Sequence, residues 1–389
     1  MNEVVLLSGV RTPIAKFLGG LKNIPAPELG GMVIKEAIKR AGLAPGQVDE
    51  VIVGQTMTAG CRQSPAYQAV VNAGLPAKTK FLHVIKACPT SLQCVISGAQ
   101  SIQLGENNVV IASGQENMSR YPFIKTELRS GDRLSEEEHI DSMLFDGYLD
   151  PFTGEHQGTQ TEILIKKHNI SRREQDEYAY ESYRKAIAAM DAGIFADEIL
   201  PIETKDGMVD TDETPRRDTT IEKLSQLRAV FPGCDTITAG NASKVNDAAS
   251  AVALANRDYA DENGLAYDFK IDGYSTFNCE SKLFGIAPVG AVKQLCAKLG
   301  INVSDFDLIE LNEAFAAQAI AVIRELELDP AKVNVYGGAV ALGHPIGATG
   351  ARLVVTLMNA MKRKNAKRGL ATICGAGGIG VAISISKIN

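Results

Sequence analysis

ACPTSLQCVISGAQSIQLG at residues 87–105 and GHPIGATGARLVVTLMNAM at residues 343–361 are two versions of one pattern. Each opens on a reactive side chain followed by proline, Cys88-Pro89 in the first and His344-Pro345 in the second, and then runs on at helical period. The flanks extend the match. VDEVIVGQ (48–55) parallels FDLIELNE (306–313) ahead of the pair, and NNVVIASGQEN (107–117) parallels RGLATICGAGG (368–378) behind it. Three matches in one order at similar spacing divide the chain into two similar α/β halves, each ending near a loop that faces the other.

Outward from these segments, apolar β-rich runs alternate with helix-period runs. Strands are predicted at 4–8, 51–53, 109–112, 308–311, 371–374 and 381–386, and helices at 29–41, 92–104, 172–192, 289–299 and 351–362. Such alternation gives α/β architecture with helices covering sheets. Between the halves, residues 119–245 are richer in charge and carry their own helical periodicity, which reads as an inserted loop domain and not a linker. The domain expectation is therefore 1–118 with 246–267 returning to it, then 119–245, then 268–389.

Composition narrows the function. With 389 residues, 45% hydrophobic and 22% charged, the chain has enough apolar content for more than one core and none of the signature of disorder. A net charge of −6 argues against nucleic acid or an anionic membrane as main partner. The seven cysteines are scattered, odd in number and contain no C-x-x-C pair, so they form neither a disulfide framework nor a zinc site. The opening MNEVVLLSGVRTPIAKF has neither signal-peptide nor transit-peptide character, and no run approaches membrane-spanning length. The expectation is a cytoplasmic protein with reduced thiols.

The reactive residues stand at informative places. Cys88 lies between a strand-like run (81–85) and a helix whose first turn contains Pro89, so free backbone N–H groups and the helix dipole favour its thiolate and lower its pKa. His344 sits in GGAVALGHPIGATGAR (337–352), where five glycines let backbone crowd a reacting centre. Asn312 follows the run DLIEL (307–311), at the carboxyl end of a strand where α/β sheets hold ligands. Each has a plain structural reading as well: a small buried thiol, a structural histidine, a helix-capping asparagine. Cys374 precedes GAGGIG, which formally matches a dinucleotide loop. Only VAISISKIN follows, a strand-like run with no acidic residue at the required distance, so the glycines make a turn between two strands and nicotinamide binding is rejected.

Taken together, GHP preceded by GGA, NEAF (312–315), the C-terminal C-x-x-G-G-x-G, GQENMS (114–119) and GNAS-x-x-ND (240–247) resemble the thiolases over essentially the whole chain. The resemblance implies the thiolase fold, two repeated halves in a five-layered αβαβα arrangement with an inserted loop domain. It also implies acyl transfer between coenzyme A thioesters, with acetyl-CoA the default substrate. By position, Cys88 matches the nucleophile, His344 the histidine that activates it, Cys374 the proton-transferring cysteine, and Asn312 the asparagine that positions a water beside the thioester oxygen. Arg216, Ser243, His156 and Phe315 fall where the family contacts coenzyme A, and the backbone N–H groups of Cys88 and Ala376 where it holds the oxyanion. Gln157 and Phe284 take the acyl-pocket places, often methionine in short-chain members. The resemblance requires no metal and no bound cofactor, since coenzyme A is a substrate, and it implies a homodimer or homotetramer, with residues 120–145 in the segment that joins dimers in tetrameric members.

The nucleophile segment departs from the family's Asn-x-x-Cys-Gly-Ser-Gly, reading Ile85-Lys86-Ala87-Cys88-Pro89-Thr90-Ser91. Ala376 replaces a glycine, and Tyr336 stands where many members have asparagine. These departures touch acyl specificity and remove no reacting group. Two other readings compete, a decarboxylating condensing enzyme and a catalytically silent protein of the same fold. The retained set Cys88, Asn312, His344 and Cys374 favours the thiolase.

Overall fold

The computed structural model describes residues 1–125 and 139–388. One half of the chain contributes strands β1 (Val4–Arg11), β2 (Glu50–Gly54), β3 (Lys80–Val84), β4 (Val109–Asn117) and β5 (Asn246–Asn256), in the sheet order β3-β2-β4-β5-β1. The other contributes β6 (Phe269–Asn278), β7 (Leu308–Leu311), β8 (Arg368–Gly375) and β9 (Ile379–Lys387), in the order β7-β8-β9-β6. In both halves the first two strands in that order pair in parallel and the last pairs are antiparallel. A bridge from Ile309 to Val333 supplies the counterpart of β3. The two sheets join edge to edge through Val5 and Leu6 of β1 opposite Lys270 and Phe269 of β6.

Helices α1 (Ala26–Arg40) and α2 (Pro65–Asn72) cover the outer face of the first sheet, and α6 (Ala287–Leu299) and α7 (Ala316–Glu325) that of the second. Helices α3 (Thr90–Gln103) and α8 (Ile346–Lys364) lie between the sheets and form the central layer. Five layers result, and the repeated sequences 87–105 and 343–361 are the two halves of the middle one. Gly350 of α8 rides on the backbone of Leu92 in α3, where any side chain would intrude, and the Ala351 N–H donates to Ser91 Oγ at 3.0 Å. The insertion holds α4 (Gln157–His168) and α5 (Arg172–Asp191), the latter opened by a full Ser171/Glu174 capping box. Part of the segment expected at dimer–dimer contacts, 126–138, lies outside the described residues.

Strands 4–8, 51–53, 308–311, 371–374 and 381–386 appear where the pattern predicts, longer at most ends. The strand at 109–112 appears as well, within β4, while β5 and β6 are absent from the prediction, and β5 is the more instructive of the two. Its sequence, NDAASAVALAN, is buried almost throughout, with α1 on one face and α3 and α8 on the other. A sheet centre pressed between helices on both faces favours small residues, here five alanines and a serine among eleven, and those residues carry no β signature.

Candidate active site

The approach to Cys88 is a forced turn. Ala87 takes a left-handed backbone (φ 49°), uncommon for a residue with a Cβ. Thr90 Oγ1 donates to the Ala87 carbonyl at 2.6 Å and accepts the Lys86 N–H at 2.8 Å, so its side chain closes the turn. Pro89 is the N-cap of α3 and not a first-turn residue. Cys88 is 7% exposed, and the backbone N–H groups of Cys88 and Ala376 bear on its sulfur in the direction that favours the thiolate. The two N–H groups expected to hold an oxyanion thus converge on one point. They do not make a thiolate. Burial dominates, and Cys88 is pushed up to about 11, with Glu116 adding to the rise, so the lowered pKa expected from the helix terminus is corrected.

Cys374 is the penultimate residue of β8 and fully buried. After it Ala376, Gly377 and Gly378 turn the chain into β9, the two glycines at φ 82° and 79°. The G-x-G-x-x-G is a hairpin turn. Gly375 touches the Pro89 ring, leaving no space for a side chain, and this contact brings the β8 end against the Cys88 turn. Cys374 is raised well above its ordinary pKa by burial and then by neighbouring Cys88. Both cysteines are therefore thiols at neutral pH.

His344 follows Gly343, whose φ of 110° and contact with the Asn246 side chain admit glycine alone. Asn246 Oδ1 accepts the His344 N–H at 3.0 Å, while its Nδ2 donates to Ala15 O and Thr214 Oγ1. Thr349 Oγ1 lies 2.7 Å from His344 Nδ1 and donates its own proton to Pro345 O at 2.8 Å. Its lone pair therefore accepts from Nδ1–H, and the tautomer is fixed with a bare lone pair on Nε2. That Nε2 is buried and meets no partner among the described residues. Burial, then the charge of Arg352, hold the imidazole down to about 3, so it stays neutral.

Asn312 is buried with both side-chain polar atoms unpaired among the described residues. It caps nothing: α7 starts four residues later, with Phe315 at its N-cap. Its N–H donates to Thr372 O at 2.9 Å, two residues before Cys374. Next to it Glu313 is fully engaged, accepting from Tyr178, Ser182, Asn334 and the Val340 N–H, and so pins the NEAF segment. Two orphaned groups, an imidazole nitrogen and a carboxamide, are what an incoming polar ligand would satisfy.

Of the remaining predicted residues, His156 Nδ1 accepts the Gly158 N–H at 2.9 Å and the ring stacks on Phe231 at 4.0 Å. Burial pulls it down to about 4. Phe315 meets Phe231 edge-on at 6.1 Å and bridges to Ala242, while the Ser243 N–H donates to Ala314 O. His156, Phe315 and Ser243 thus share one aromatic-lined rim. Arg216 is exposed, with no ion pair or side-chain hydrogen bond among the described residues. Phe284 packs in one cluster with Phe315 and Cys374; Gln157 Nε2 is turned to Gly147 O at 3.3 Å.

Sequence reasoning passed over three contributors. Thr349 and Asn246 orient the histidine from within motifs whose other residues drew attention. Glu116, of GQENMS, accepts the Thr56 N–H (2.9 Å), Met57 N–H (3.4 Å) and Gly347 N–H (2.9 Å), tying the β2 end to the first turn of α8. The signal for each was a polar residue at a strand end or helix start.

Comparison with known proteins fits this arrangement. Residues 4–258 match the family model "Thiolase, N-terminal domain" and residues 266–387 "Thiolase, C-terminal domain". The chain belongs to the thiolase family. It is 45% identical over 392 residues to an acetyl-CoA acetyltransferase of Pseudomonas aeruginosa, with 100% of each chain covered. It is 44% identical to a probable acetyl-CoA acetyltransferase of Escherichia coli K12, also at full coverage. Among solved structures it superposes on the Bacillus anthracis acetyl-CoA acetyltransferase with a TM-score of 0.96 at 40% identity, covering 100% of this chain and 99% of that one. The Syntrophomonas wolfei acetyl-CoA acetyltransferase gives 0.97 at 33% identity, with 99% of each covered. This thiolase is accordingly an acyltransferase of the five-layered fold.

Proposed function

We propose that this thiolase catalyses the reversible thiolysis and Claisen condensation of acyl-CoA thioesters through an acyl group carried on Cys88, with acetyl-CoA as default substrate. The observation that carries the reading is the seating of Gly375 against the Pro89 ring, which sets Cys374 beside the Cys88 turn, together with the buried and unpaired His344 Nε2 and Asn312 carboxamide.

Both thiols start protonated, which suits the cleavage direction as written. Cys88 attacks the 3-oxo carbon of a 3-oxoacyl-CoA while its proton passes to His344 Nε2, the lone pair that Thr349 leaves free. The tetrahedral oxyanion accepts from the Cys88 and Ala376 N–H groups. The C2–C3 bond breaks, leaving the acyl group on Cys88 and an enolate whose oxygen accepts from His344 Nε2–H and from the Asn312 side, directly or through a water. Cys374 gives its proton to the enolate carbon, and acetyl-CoA departs. Coenzyme A thiol enters, returns a proton to Cys374, and its thiolate takes the acyl group as the Cys88 sulfur recovers the proton from His344. Condensation is the same path reversed. The scheme calls on no metal or bound cofactor.

His156, Phe315, Ser243 and Arg216 are the coenzyme A contacts in this reading, supported by the shared aromatic rim. Phe284 lines the acyl pocket, and Gln157 borders it. The reading extends to a cytoplasmic homodimer or homotetramer. Reacting thiols that must stay reduced support the compartment, and a sheet edge at β3 that meets no further strand among the described residues supports assembly.

Incubation with a panel of 3-oxoacyl-CoAs plus coenzyme A, read by intact mass and peptide mapping, tests the proposal. An acyl adduct on Cys88 and formation of two acyl-CoA products are expected, with the adduct persisting in C374A. Absence of adduct and of thiolysis across the panel would overturn it.

A further inference from the structure

Asn312 has no side-chain partner among the described residues, so its place in the site is set by its backbone. That backbone continues β7. The Asn312 N–H donates to Thr372 O at 2.9 Å, extending the parallel ladder in which Glu310 lies opposite Ala371. Side chains alternate along a strand, and the two faces here go different ways. Ile309 and Leu311 belong to one apolar cluster with Val292 of α6 and Val322 of α7, whereas Leu308 belongs to the cluster of Leu353 and Leu357 of α8. Glu310 and Asn312 therefore share the face turned to α8.

The residue of α8 that meets Glu310 is Arg352. Its Nη1 donates to Glu310 Oε2 at 3.3 Å, and both side chains are almost wholly buried. Arg352 stands one helical turn beyond Thr349, whose hydroxyl holds His344 Nδ1 at 2.7 Å. As a stabilising device the pair is poor. Arg352 Nε and Nη2 are buried with no partner among the described residues. Burial pushes the Glu310 carboxyl up to about 8 and the Arg352 guanidinium down, outweighing the attraction between them. What the pair does supply is a fixed link between the strand that carries Asn312 and the helix start that carries His344.

We propose that Arg352 and Glu310 are a positioning pair for Asn312, holding its carboxamide at the distance from His344 Nε2 that an enolate oxygen requires. Neither side chain touches substrate. His344 has its own supports in Asn246 and Thr349, so loosening the pair displaces Asn312 and spares the histidine. The step that suffers is the one that makes or consumes the enolate, while acylation of Cys88 continues. The pair's role rests on the acyl-CoA reading of the site, and measuring the two half-reactions apart keeps the two claims distinct.

Acetyl-CoA in deuterium oxide makes that separation. Deuterium entering its C2 position reports the enolate, and the acetyl adduct on Cys88, read by intact mass after rapid quenching, reports acylation. In R352M/E310M apolar side chains fill the place of the pair, a replacement that buried pairs tolerate in folded proteins. Its exchange is expected to fall about a hundredfold relative to its acylation, the cost of a misplaced group. R352M, which leaves a buried carboxyl free to take up a proton, is the second variant and should behave alike. E310Q, whose amide oxygen still accepts the Arg352 N–H, should keep most of the exchange. An exchange-to-acylation ratio in folded R352M/E310M or R352M equal to that of wild type overturns the pair's role, as does a loss in E310Q as deep as theirs. Wild type giving neither adduct nor exchange removes the acyl-CoA reading, and the pair's role with it.

Discussion

The reacting side chains are held neutral by burial, and that decides how they react. Cys88 at about 11 and His344 at about 3 cannot form a thiolate–imidazolium pair in the free protein, so the imidazole acts as a base during attack. Alkylation of Cys88 by iodoacetamide should then accelerate about tenfold per pH unit from 7 to 10; a plateau already reached near neutrality would reveal a preformed ion pair. The same burial affects stability. His344 binds a proton in the unfolded chain below its ordinary 6.5 but not in the folded one until about 3, so its contribution is present above 6.5 and lost as pH falls towards 3. Urea titrations between pH 4 and 6 should show a shallower pH slope in H344N than in wild type. Thr349 makes the base usable by holding the proton on Nδ1. T349V is expected to lower kcat for thiolysis about a hundredfold with little change in KM, and T349S to restore most of it. Equal rates for T349V and wild type would show that the tautomer needs no help.

Between elements, the decisive contact is the crossing of α3 and α8, the two repeated segments, at the centre of the molecule. At Gly350 a methyl group would overlap the Leu92 backbone, which cannot retreat without moving the Cys88 turn two residues before the helix. G350A should destabilise by about 3 kcal/mol and reduce thiolysis, whereas G46A, with open space around its Cα, should stay within about 0.5 kcal/mol of wild type in urea denaturation. This crossing also shows what could be read beforehand. The helices were legible because apolar residues recur at helical period behind a Cys-Pro or His-Pro junction, and the flanking strands because β-branched residues cluster in them. Strand β5 was not, since packing between helices selects alanine against local propensity. At the site, Cys88, His344, Cys374 and Asn312 stood out as reactive types at element ends. The groups that orient them did not: Asn246 and Glu116 act through contacts 98 and 231 residues away in sequence, which no local pattern encodes, and Thr349, five residues from His344, is one small polar residue in a glycine-rich helix start.

Across the whole molecule the joined sheets have two ends, and they are finished differently. At the β7 end, Val333 bridges to Ile309 and continues the ladder. At the other end, β3 pairs only with β2 among the described residues, and its outer edge carries Phe81 and Leu82, with Ile85 just beyond. These are 43%, 45% and 58% exposed, and Tyr67 and Val71 of α2 widen the same apolar surface, the Tyr67 ring tilted against Phe81 at 5.4 Å between centroids. Strand edges of monomers are normally blunted by charge, proline or a bulge, and this one keeps only Lys80 and the imidazole of His83. An edge so apolar is stable in water when a second copy covers it, antiparallel across a twofold axis, in which each chain presents the same strand to the other. A chain of 41.5 kDa should therefore sediment at twice that mass or more, and L82D, placing a carboxylate at the seam, should shift it towards the single-chain mass at micromolar concentration. Wild type sedimenting as one chain, or L82D leaving the assembly intact, would place the contact on another face.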